Sequence, residues 1–166
     1  LGLVWWISAR QATLAPSTAA GLFLLYAGLN GVIFSMILLA YTGQSIATAF
    51  LTTAGMFGAL ALFGTVTKRS LAGVGQFAFM GLVGIVIASL IGLFWHNDAL
   101  QFLISAAGVI VFTGLTAWDA QRLRAMALQV EGPQSGSYAI GGALALYLDF
   151  VNLFLMILRL LGGRRN

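Results

Sequence analysis

Long apolar runs broken by short polar stretches organise this chain. The breaks fall at residues 10–17, 41–45, 67–71, 96–98, 122–137 and 162–166, leaving apolar runs over residues 18–40, 46–66, 72–95, 99–121 and 138–161. A helix rises about 1.5 Å per residue, so roughly 20 apolar residues cross a hydrocarbon core about 30 Å thick. Every run is long enough. Five full spans are therefore expected after a partial one at residues 1–9, all within a single transmembrane domain covering 1–166. The runs are apolar on all faces rather than alternating over segments of roughly ten residues, which argues against a membrane β-barrel.

Composition supports the same class. Of 166 residues, 60% are hydrophobic and 7% charged, whereas a soluble domain carries roughly a quarter charged residues. A water-soluble domain is excluded. The net charge of +4 comes from basic residues placed singly or in pairs at run ends, not from a stripe able to track phosphates, so nucleic acid is no partner. With no cysteine, disulfides, thiolate metal sites and cysteine nucleophiles all fall away. The chain opens at Leu1 without methionine, and residues 1–9 lack the charged start and cleavage site of a signal peptide. The expectation is a fragment whose opening helix began upstream.

Lysine and arginine mark one side. Arg10, the Lys68–Arg69 pair, and Arg122 with Arg124 sit at alternate span ends, while the breaks at 41–45 and 96–98 carry neither residue type. The first set is expected to be cytoplasmic, since positive loops are retained there. A final segment crossing fully would carry Arg159, Arg164 and Arg165 to the other side, against that bias. Arg159 reads most simply as a snorkelling interface residue. Trp5, Trp6, Tyr41 and Trp95 read as interfacial anchors. Small residues four apart, Gly84, Ala88 and Gly92 in one run and Ala54 with Gly58 in another, share helix faces where backbones can approach closely. Ordinary bundle packing accounts for them.

Two acids stand inside apolar runs, where insertion scales charge about 2.5–3.5 kcal/mol for a central aspartate. Asp119 lies in Val-Phe-Thr-Gly-Leu-Thr-Ala-Trp-Asp-Ala-Gln, and Asp149 lies in mid-run within Leu-Tyr-Leu-Asp-Phe-Val-Asn-Leu-Phe-Leu. Asp98 and Glu131 are loop acids. If the two intramembrane acids meet, they cannot both ionise cheaply, and the pair shares a proton. Such a pair would sense pH. Ionised, it would offer oxygen ligands to a hard cation, supplemented by Asn152 one turn on from Asp149 and by Thr116. Calcium suits this set better than zinc, which favours nitrogen or sulfur, and the only histidine, His96, lies in a loop on the opposite side. The bland alternative is that each aspartate merely bonds a neighbouring helix. Arg10 and Arg122 could pair with Asp119 and latch a gate while the acid is charged; Arg122, at i+3, could equally just neutralise it.

No catalytic constellation is present. The chain has no HExxH, no phosphate-cradling loop with lysine and no dinucleotide fingerprint. Intramembrane aspartyl proteases also use two span-borne acids, but in Tyr-Asp and Gly-x-Gly-Asp contexts; here Ala-Trp and Tyr-Leu precede the acids. An enzyme is not expected, and no cofactor is required.

The segments around Asp119 and Asp149, with Thr-Ala-Gly-Met-Phe-Gly at 53–58 and Thr-Lys-Arg at 67–69, resemble the Bax inhibitor-1 family in its bacterial branch. The resemblance extends over nearly the whole chain. It implies an all-α, polytopic bundle: a seven-helix fold, here lacking the first helix and part of the second, with the last helix surrounded by the others. It further implies a pH-sensitive calcium leak, in which Asp119 and Asp149 match the proton-sensing pair and Arg10 is a possible match for a latching arginine. The loop between Asp119 and Asp149 looks longer than in some relatives.

The expected function is thus a pH-sensitive calcium leak channel of the bacterial inner membrane, gated by protonation of Asp119 and Asp149. Its partners would be the bilayer, calcium and protons. The main alternative is an interaction protein that modulates a membrane-bound protease, with the acids serving folding alone. A proton-coupled transporter would require inverted-repeat halves, which the sequence does not display.

Overall fold

A computed structural model describes residues 15–95, 97–129, 132 and 135–163. Among these residues the chain is helical, without strands, and has five helices: α1 (Pro16–Leu39), α2 (Gly43–Val66), α3 (Ala72–Phe94), α4 (Asp98–Ala127) and α5 (Ser135–Leu161). All five are long and apolar enough to cross a membrane. The partial span at 1–9, with Arg10, Trp5 and Trp6, lies outside the described residues, as do His96, Glu131, Arg164 and Arg165.

Local chemistry explains several helix ends. Pro16 opens α1 at a position where its missing N–H costs nothing. Thr42 caps α2, its Oγ1 accepting from the Ser45 N–H at 3.3 Å. Asn97 caps α4 by accepting from the Ala99 N–H at 2.9 Å, and Asp98 adds negative charge to the first turn, where the helix dipole favours it. Three helices run three or more residues beyond the apolar segments that announce them. α2 starts at Gly43 rather than 46, α4 continues past Gln121 to Ala127 and α5 starts at Ser135 rather than 138. Arg122 and Arg124 end the stretch that belongs in lipid, but arginine is a good helix former and does not end the helix.

The helices alternate up and down. The starts of α1 and α5 lie together, since a Cβ on Gly136 would come within 3.1 Å of the Pro16 ring. The same end of the bundle holds the α2–α3 loop and the end of α4, tied by Gln121: its Oε1 accepts from the Leu71 N–H and its Nε2 donates to the Arg69 carbonyl, both at 2.8 Å. Arg124 donates to the Thr65 carbonyl alongside. Lys68, Arg69, Arg122 and Arg124 therefore gather at one end. α5 then crosses the entire bundle and finishes against the α1–α2 connection, where Gly163 N–H donates to Ser45 Oγ at 2.9 Å. Arg159 accordingly lies at the end opposite Lys68 and Arg69.

α4 and α5 share the largest interface; α4 also packs on α3 and α2, and α5 on α2 and α1. Among the described helices, α5 is enclosed by α1, α2 and α4. Leu144, Leu153 and Leu158 of α5 are completely enclosed or nearly so, with Thr53 of α2 and Thr116 of α4. The buried threonines donate to carbonyls of their own helices, Thr53 to Ala49 at 2.7 Å and Thr116 to Phe112 at 2.7 Å, so neither brings an unpaired hydroxyl hydrogen into the core. Rings join the helices: Phe150 of α5 meets Phe50 and Phe57 of α2, and Tyr147 meets Phe23 and Tyr26 of α1, all edge-on.

The small-residue stripes pack only in part. Gly84 and Gly58 face open space, but Gly92, in the same stripe as Gly84, packs on α4, where an added Cβ would lie 3.3 Å from the Gln101 side chain. The close approaches occur at Gly64, whose added Cβ would lie 2.1 Å from the Ala117 carbonyl oxygen of α4, and at Gly75 under the Trp118 ring. Of the aromatic residues at span ends, Tyr41 is 7% accessible and lies against Gly162, whereas Trp95 is exposed.

Candidate functional site: an acid pair under a polar cavity

Asp119 and Asp149 meet. The last turns of α4 bring Asp119 inward, and antiparallel α5 places Asp149 opposite it, so that the two carboxyl groups lie within side-chain hydrogen-bonding reach. Asp149 is only 5% accessible, and its Oδ2 receives no hydrogen bond from any N–H or O–H among the described residues. An ionised carboxylate only accepts, so two ionised acids cannot bond each other; the arrangement is satisfied when a proton lies between them. Burial of an orphaned charged oxygen costs more than that of almost any other group.

Asp119 is half-buried and faces a cavity of about 310 Å³ between α4 and α5, lined also by Arg122, Leu123, Tyr138, Gly142 and Leu148. Asp149 is absent from the cavity wall and sits behind Asp119. At one edge of the cavity α5 packs closely on α4 because Gly142 has no side chain: a Cβ there would come within 1.9 Å of Leu123. Arg122 lies near its mouth. Its charge acts on Asp119, and its guanidinium stands 5.5 Å from the centre of the Trp118 ring. Of the two expected latch residues, Arg122 is thus near the pair, and Arg10 lies outside the described residues.

The expected supporting ligands are turned to their own helices. Asn152 donates to the Leu148 carbonyl at 2.8 Å, and Thr116 to that of Phe112. Their oxygens retain lone pairs. Among the described residues no cluster of three or more His, Cys, Asp or Glu exists, so a cation here would have the two aspartates as its only acidic ligands.

Residues not singled out from the sequence contribute to this end. Gln121, two positions after Asp119, clamps the α2–α3 loop; its partners lie some 50 positions away. Gly142 and Tyr138 shape the cavity. Only Gln121 carries a sequence signal, an amide near the end of an apolar run.

The fold and site define a polytopic helical membrane protein with an acid pair at its core. The full chain, residues 1–166, matches the family model described as inhibitor of apoptosis-promoting Bax1, and the chain belongs to the Bax inhibitor-1 family. It is 48% identical over 168 residues to inner membrane protein YbhL of Escherichia coli K12, covering 99% of this chain and 72% of that protein. Uncharacterized proteins of Borreliella burgdorferi and Rickettsia prowazekii are 46% and 45% identical, covering 99% and 90% of this chain and 72% and 64% of theirs. With this relationship and five helices able to span a bilayer, the chain is a multi-pass protein of the bacterial inner membrane.

Proposed function

We propose that this chain forms a pH-responsive calcium leak pathway, with Asp119 and Asp149 as its proton-operated element. The observation that carries this reading is the buried Asp149, whose Oδ2 lacks a donor and whose carboxyl faces an Asp119 open to a cavity at the basic end. With both acids charged, the pair repels itself, holds a cation and attracts Arg122 towards Asp119. Adding protons removes those charges, releases the arginine and weakens cation binding enough for an ion to move on, as conduction requires. Calcium flux then rises as pH falls.

The test is flux into liposomes carrying the full-length protein and a trapped calcium indicator, followed between acid and alkaline pH. Asp119→Asn and Asp149→Asn should each flatten the pH dependence. Wild-type flux with unchanged pH dependence in both variants would eliminate the acid pair as the gate. The absence of cation flux in every form, with co-purification of a membrane-bound protease, would favour an interaction protein in which the acids only support folding.

A further inference from the structure

A second cavity, of about 570 Å³, opens at the far end of the same helix pair, lined by Asp98, Gln101 and Ser105 of α4, by Arg159 of α5, and by Tyr41. The two cavities share the α4–α5 interface but do not meet. Between Ser105 and Asp119, a rise of about 21 Å along α4, the interface closes around Phe112, Leu115, Leu153 and Met156, all 8% accessible or less. Within this stretch α5 comes close to α4 at Gly108. A Cβ at that position would fall 2.8 Å from both Cγ and Sδ of Met156. Gly108 is thus a notch and Met156 the knob filling it, one helix turn on the Asp119 side of Ser105.

We propose that Met156, seated on Gly108, is the hydrophobic gate separating the two cavities, each of which carries charged side chains on its wall, and that the acid pair sits at the inner foot of this plug. The inference rests on the conduction reading above. An apolar constriction excludes water and therefore ions without any covalent or charged barrier. Methionine suits the role: an unbranched thioether with three rotatable bonds leaves a notch at low cost. Asp149 lies two turns from Met156 on α5, so a change in the charge of the pair that shifts α5 moves the knob directly. Only a glycine lets the knob seat this deeply.

Calcium flux into liposomes tests this with Met156→Ala, Met156→Leu and Gly108→Ala in the full-length protein, each checked for thermal unfolding in detergent. Met156→Ala should raise flux several-fold at alkaline pH, where the wild type is lowest, and should conduct even when combined with Asp149→Asn. Met156→Leu should stay near wild type. Gly108→Ala, which crowds a movable thioether rather than backbone, should fold and alter flux without removing pH dependence. Wild-type flux in Met156→Ala and Gly108→Ala at every pH would overturn the gate while leaving the acid pair to be judged by its own variants. Conduction by Met156→Ala together with Asp variants that keep the normal pH dependence would retain the gate and discard the acid pair. Silence in every form would remove both.

Discussion

α1 and α5 are similarly greasy to a hydropathy window, yet they live in different surroundings. α1 buries one residue, Ala19, and presents Leu24, Leu25, Val32 and Met36 outward, while α5 buries ten, including Gly141, Gly142 and Asp149. Apolarity does not decide which helix goes inside, because lipid tails are as apolar as leucine. Burial of an acid needing a partner separates them. The helix with the buried Asp149, the buried glycines and the fully enclosed leucines is central among the described helices; α1, which buries only Ala19, is peripheral among them.

Substitutions that reverse this division should differ most at backbone contacts. Gly64→Leu drives a side chain into the Ala117 carbonyl of α4, a rigid obstacle, and should abolish a sharp unfolding transition, whereas Gly28→Leu on α1 meets open space and should leave it unchanged. Leu153→Ala should lower stability by about 2–5 kcal/mol through the cavity it leaves, measured by denaturation in detergent; Leu25→Ala on the exposed face of α1 should do almost nothing. Gln121→Ala unties the Leu71 N–H and Arg69 carbonyl and should cost about 1–3 kcal/mol, with faster amide exchange confined to the 67–71 loop. A uniform response across α1 and α5 would remove the distinction between them.

What the sequence discloses follows the same division. Spans are legible because a 20-residue apolar stretch has few alternatives to a membrane helix, and the intramembrane position of Asp149 is legible because nothing else polar in its run is acidic. Helix ends are less so: Arg122 marks where lipid stops, while α4 continues to Ala127. Glycine spacing informs only in part: Gly92 fits the small-residue pattern and packs on α4, whereas Gly84 and Gly58 fit it and face open space, and the closer contacts at Gly64 and Gly142 are chosen by partners on other helices. The Gln121 clamp shows in the sequence only as an amide near a run end; its partners are hidden for that reason too, because they lie in a loop 50 positions away.

The central claim is that Asp119 and Asp149 hold protons jointly. Infrared difference spectroscopy of the reconstituted full-length protein, stepped through pH, reads the protonated-carboxyl stretch directly. The account predicts a protonated-carboxyl signal that Asp149→Asn and Asp119→Asn each alter in both amplitude and pH midpoint, because the remaining acid loses its partner. Two carboxyl signals that titrate independently, each unmoved when the other aspartate is replaced, would contradict it.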